Sequence, residues 1–143
     1  MKALRTALFM LICATLVPAC DTFQPSQLCG DQTEADYQSF VKIFSEMQLV
    51  NLDGSYAEDG AEQTGRVFDG PTSLALSLYN EQDTQLRLCI FGTKRNGEIV
   101  FDETFTVDAG QESIRLGEFE KGQYIIRVYA DELLVENISF MIK

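Results

Sequence analysis

Apolar residues recur at every second position through much of the C-terminal half of the chain. Leu74, Leu76 and Leu78 alternate with Ser73, Ala75, Ser77 and Tyr79, and Leu86, Leu88 and Ile90 alternate with Arg87, Cys89 and Phe91. A period of two places one set of side chains on one face of a strand, so each run predicts a strand with a buried side. Similar runs predict strands over 99–107, 113–116, 123–130 and 133–142. Turn signals separate them at Asn80-Glu81-Gln82-Asp83, Asn96-Gly97, Ala109-Gly110, Lys121-Gly122 and Asp131-Glu132. Half a dozen short strands without intervening helices predict a mainly β domain over 66–143, built as an antiparallel sandwich or barrel.

Upstream the period changes. Tyr37, Phe40, Val41, Phe44 and Met47 recur at helical spacing, which predicts one short amphipathic helix over 33–48. Thr33 and Asp36 resemble a capping box at its start. Residues 49–65 read as an acidic glycine-rich loop, and residues 20–32 as a short tether with Pro25 and Gly30. At the extreme N-terminus Lys2 and Arg5 precede an apolar run over 7–17 that ends in Pro18-Ala19-Cys20. A basic start, a short apolar stretch and a small residue before a break predict a signal helix over 1–19. Eleven apolar residues span about 16 Å as a helix, against roughly 30 Å of hydrocarbon, too little to cross a bilayer.

Leu16-Val17-Pro18-Ala19-Cys20 resembles the lipobox of bacterial lipoproteins, with an aliphatic residue at Val17 and a small one at Ala19. The resemblance implies cleavage before Cys20, lipidation of its thiol, palmitate among the acyl groups, and export to a membrane facing the periplasm or the cell exterior. Asp21 stands where enterobacterial lipoproteins carry an inner-membrane retention signal. Of the four cysteines, Cys13 leaves with the signal. With Cys20 acylated, Cys29 and Cys89 remain, and a disulfide between them is the expected use of an even pair in an oxidising compartment.

A second resemblance lies in Leu116-Gly117-Glu118-Phe119-Glu120-Lys121-Gly122-Gln123-Tyr124-Ile125-Ile126-Arg127-Val128. It is similar to the approach to a late strand of immunoglobulin-like sandwiches, where a loop ending in Gly-x-Tyr feeds the strand and the tyrosine hydroxyl bonds to upstream backbone. Ile126 stands where antibody domains place a core cysteine, so the likeness is to their cysteine-free bacterial relatives. It implies an antiparallel immunoglobulin-like β-sandwich whose last two strands form a hairpin turning at Asp131-Glu132.

Composition narrows the chemistry. The chain has no histidine, which removes Ser-His-Asp and Cys-His catalysis, and no tryptophan. Its 22 acids against 11 bases give a formal charge of −11. Loss of 1–19 takes away Lys2 and Arg5 and no acid, moving the charge from −11 to −13. Nucleic acid is excluded as a partner, because each phosphate contact needs a basic side chain. Such a body is also repelled by anionic headgroups, so acylation at Cys20 would have to hold it at a membrane.

Candidate catalytic motifs are weak. Ser39-Phe40-Val41-Lys42 matches the S-x-x-K of β-lactamases and penicillin-binding proteins, yet the companion motifs are absent and Ser39 is read as helix surface. Asn51, Asp53, Ser55 and Glu62 fall at positions 1, 3, 5 and 12 of an EF-hand-like loop, but Tyr56 replaces the glycine of the sharp turn. Asp53, Asp59 and Glu62, with Glu58, are left as candidates for a loose calcium site. Asp102 and Glu103 are neighbours in a strand and would face opposite sides. Glu103 interrupts the apolar phase of Phe101 and Phe105, marking a bulge or an inward charge that blunts an edge. Asn137-Ile138-Ser139 satisfies the glycosylation pattern and is read as structural.

These readings predict a non-catalytic, cofactor-free lipoprotein that binds a protein partner as an accessory or scaffolding module of the cell envelope. Phe91, Tyr79 and Tyr129, brought together on an outer face, would form the contact patch. The alternatives are a carbohydrate- or calcium-binding domain using the 51–65 loop, and a small carboxylate-dependent hydrolase.

Overall fold

Alternation along each strand puts Leu74, Leu76 and Leu78 from one layer against Leu86, Leu88, Ile90, Ile126 and Val128 from another, and nearly all are withdrawn completely from solvent. The computed structural model describes residues 28–52, 66–93 and 97–143. Among them are one helix and eight strands: α1 (Tyr37–Ile43), β1 (Phe44–Asn51), β2 (Arg66–Phe68), β3 (Thr72–Asn80), β4 (Thr84–Gly92), β5 (Ile99–Val107), β6 (Gly110–Phe119), β7 (Gly122–Ala130) and β8 (Leu133–Ile142). They form a three-stranded sheet in the order β1-β3-β6 and a five-stranded sheet in the order β2-β8-β7-β4-β5. All pairings are antiparallel except the short β2, which runs parallel to β8. The chain is a mainly β sandwich, and its strand order follows that of immunoglobulin-like domains.

Short connections fix how the layers face each other. Only Asp108 and Ala109 separate β5 from β6, so β6 lies on the β5 side of the sandwich. Helix α1 contacts both β8 and β1 and carries the chain between the sheets at the other side. Ile43 and the half-buried Phe40 close the core there.

The Gly-x-Tyr corner accounts for the start of β7. The Tyr124 hydroxyl donates to the Glu120 carbonyl at 3.0 Å, across the turn that leads from β6. Its ring packs among Phe119 and Phe140, with centroids 5.3 and 5.1 Å away. Gly122 makes room for it, since a Cβ there would stand 3.2 Å from the ring and its hydroxyl. Tyr124→Phe keeps the ring and removes the bond, so the expected loss is about 1 kcal/mol, read as a lower urea midpoint at unchanged m.

In β6, Gly117 has φ 96°, at a shift in register between Leu74 and Ala75 of β3. A bulge there needs a residue that tolerates the left-handed region, which glycine does without strain. The β7–β8 hairpin turns on Asp131 and Glu132, both at positive φ. Two such residues in a two-residue loop match the strand twist but strain non-glycine side chains. Asp131 is held by bonds to its carboxylate from the Thr84 hydroxyl and the Gln85 N–H, both 3.1 Å.

The helix is shorter than its apolar stripe predicts. It begins at Tyr37 rather than residue 33, and Asp36, not Thr33, caps it by accepting from the N–H groups of Gln38 and Ser39. The Ser39 hydroxyl also donates to Asp36, and that bond, followed by the backbone one, holds the Asp36 carboxyl below its ordinary value. After Ile43 the chain becomes β1, with Met47 opposite Leu78 and Leu49 opposite Leu76. The backbone groups of 44–51 that face β3 pair with it, in place of the bonds a longer helix would make within itself. Tyr37 and Val41, counted on the apolar stripe, are 63% and 52% exposed. The strand-rich body therefore begins at Phe44 and takes in part of the segment read as loop.

Candidate functional site

The second departure from expectation lies on the outer face of the five-stranded sheet. Residues 28–32, read as tether, lie across this face, and the chain continues along it to Asp36. Cys29 is joined to Cys89 in the middle of β4, with Cα atoms 5.8 Å apart. Around the bridge Phe91, Tyr129 and Leu134 form a second buried cluster, with Leu28, Ala35 and Ile125 packed against it.

Polar groups of the sheet hold the strap by its backbone. The Arg127 guanidinium, almost fully buried, donates to the carbonyls of Leu28 at 2.7 Å and Gly30 at 3.1 Å, and lies over the Phe91 ring. The Tyr129 hydroxyl donates to the Cys29 carbonyl at 2.9 Å. Gln32 accepts from the Leu134 N–H, and the Asp36 N–H donates to the Leu134 carbonyl. Cys29 itself sits at φ 67°, a left-handed geometry that turns its carbonyl toward these donors.

Arg87 stands beside the strap over the Tyr129 ring and forms a two-pronged pair with Asp102, both contacts 2.8 Å. That bonded carboxylate holds the Arg87 guanidinium above its ordinary range. The pair is more than a third exposed on each side, so it contributes less than about 1 kcal/mol. It also occupies Asp102, while Glu103 faces the other way, opposite Leu88.

The expected aromatic patch does not form. Phe91 and Tyr129 share a face but are buried under the strap, and Tyr79, 44% exposed, belongs to the other sheet. The sheet face left uncovered instead holds a recess of about 210 Å³, lined by Arg66, Val67, Thr93, Gln123, Ile125 and Met141 among others. Burial pulls the Arg66 guanidinium below its ordinary value, and Glu136 acts against that shift.

Cys20 and the metal candidates Asp53, Asp59 and Glu62 lie outside the described residues. Among the described residues no three metal-ligating side chains gather, and no helix is long and apolar enough to cross a membrane. Ser39 is committed to the helix cap, and the S-x-x-K match carries no arranged nucleophile. Arg127 and Gln32 were not singled out by pattern. A signal for them exists in β4, where apolar residues fill both phases from Leu88 to Phe91, as in a strand buried on both sides.

Fold and surface thus define a small β-sandwich with one face covered by its own disulfide-linked N-terminal strap. No protein-family model matches the sequence, and no curated protein matches it. A solved structure with partial likeness is Pseudomonas fluorescens alkylpurine DNA glycosylase AlkC bound to DNA containing an abasic site analog. Identity is 17%, over 56% of this chain and 28% of that one, with a TM-score of 0.36. The chain spans little more than a quarter of that protein, and nothing about its activity carries over.

Proposed function

We propose that this chain is an exported lipoprotein, anchored through Cys20, whose sandwich binds a protein partner without catalysis as an accessory module of the cell envelope. The observation that carries this reading is the buried link between Cys29 and Cys89 in a chain that opens with a lipobox-like segment. Disulfides persist in oxidising compartments, and this one accounts for both cysteines other than Cys20 downstream of the segment. Strap and sheet are fixed to each other by covalent and buried polar bonds, which suits a body that presents fixed surfaces. The negative charge of the body favours attachment by acyl chains over attraction to headgroups.

Mass spectrometry of the N-terminal fragment from membrane-extracted protein is expected to show a chain starting at Cys20 with diacylglycerol on its sulfur. Cys20→Ser is expected to move the protein from the membrane to the soluble fraction. A mature chain retaining Met1 and lacking acylation would overturn the reading.

A further inference from the structure

The two layers differ in width, and the difference leaves a strand position unfilled by the described residues. β6 forms an edge of the three-stranded sheet and, among the described residues, pairs only with β3. β5 forms an edge of the five-stranded sheet and is joined to β6 by two residues. With three strands facing five, no strand among the described residues lies beyond β6 to cover the inner face of β5.

Burial along β5 reflects this. On its inward phase Val107, next to the corner, is buried, while Phe101 and Phe105 are only half-buried and Glu103 between them is exposed. The two rings lean together over the strand, with centroids 6.4 Å apart and planes 14° from parallel. β6 repeats the pattern. Ile114 and Leu116 are buried, but Glu112, on the same phase and opposite the core residue Leu78, is exposed. Glu103 likewise stands opposite a core residue, Leu88. Both edges therefore carry an exposed carboxylate on the inward phase, where the pattern calls for an apolar side chain, beside the position the described strands leave unfilled.

From this we infer that the free edge of β6 is a docking site for an extended segment of a partner protein, in which apolar residues alternate with lysine or arginine on one face. Such a strand would bond to the unpaired backbone of β6, lay its apolar side chains on Phe101 and Phe105, and bring its cations to Glu103 and Glu112. A second copy of this chain is a poor occupant. Each copy carries a formal charge of −11, and self-association would crowd carboxylates of one sign. The charges that block self-pairing are those that select a basic strand. This inference rests on the proposed protein-binding role and names the surface and the partner's chemistry.

The test uses the isotope-labelled full chain and the capped peptide Thr-Leu-Thr-Lys-Thr-Leu-Thr, with Glu in place of Lys as control. Amide shifts and new exchange protection are expected in 110–119, with shifts at 101–105. The Lys peptide should bind at least tenfold more tightly than the Glu peptide. Glu103→Gln with Glu112→Gln should reduce its affinity about tenfold, and added salt should do the same. Lack of binding up to the peptide's solubility, equal binding of both peptides, or shifts centred on β1 or β2 would overturn the inference. Self-association of the double variant with unchanged peptide affinity would also overturn it, leaving the acids as guards of the edge. The proposed function has its own readout: a partner captured through another face leaves it standing when the peptide fails. Soluble, unacylated protein that still binds the peptide would reverse that outcome.

Discussion

Replacing Cys29 and Cys89 together by alanine is expected to lower stability by about 4 kcal/mol. The two residues are 60 apart in sequence, and closing a loop of that length removes about this much free energy of the unfolded ensemble in the chain-entropy model. Both sulfurs are buried, and alanine also leaves space beside Phe91 and Tyr129, so packing losses act in the same direction. Urea unfolding followed by circular dichroism measures the change, tryptophan fluorescence being absent from this chain. A difference under about 1 kcal/mol between oxidised wild type and double variant would show that the bridge adds little to holding the strap. The sandwich core, dominated by the leucines of β3 and β4, does not touch the bridge directly and should remain folded at low temperature.

Arg127→Met should cost about 2–3 kcal/mol. Methionine keeps much of the side-chain stem over Phe91 but removes the donors that serve the Leu28 and Gly30 carbonyls. Hydrogen bonds from a charged group are worth about 1.5–3 kcal/mol, and a carbonyl left buried without a donor adds its own penalty. Amide exchange should quicken first around 28–36, where the strap loses its hold, and later in β7 itself. Combined with the cysteine replacements the two effects should fall short of additive, because both act on one segment. Full additivity would mean that bridge and guanidinium hold independent parts of the molecule.

The alternation in 74–91 and 123–142 made the sandwich legible, because a strand with one buried face announces itself at period two. The Gly-x-Tyr corner was legible for a different reason: the turn needs a small residue under the tyrosine ring, and Gly122 supplies it. β1 was hidden. Phe44 and Met47 are three apart because the strand is bulged between Phe44 and Glu46, and that spacing mimics a helix turn. β2 has three residues, too few for any period. The strap was hidden more deeply, since it has no regular structure and its hold comes from residues about one hundred positions away. Phe91 and Tyr129 read as solvent-facing for the same reason: alternation tells which face a residue takes, but not what else lies on that face. Glu103 was visible as an anomaly, and the uneven widths of the sheets explain how an inward carboxylate there escapes burial.

The position of the Cys29–Cys89 link also decides how the body would respond to mechanical tension. A pull applied upstream of Cys29 enters through a covalent bond into β4, which is flanked by β7 on one side and β5 on the other. Residues 30–88, including α1 and the edge strand β1, are bypassed and feel no direct traction. Force that would otherwise unzip the molecule strand by strand from its N-terminal side is instead delivered to a strand bonded to a neighbour on each side.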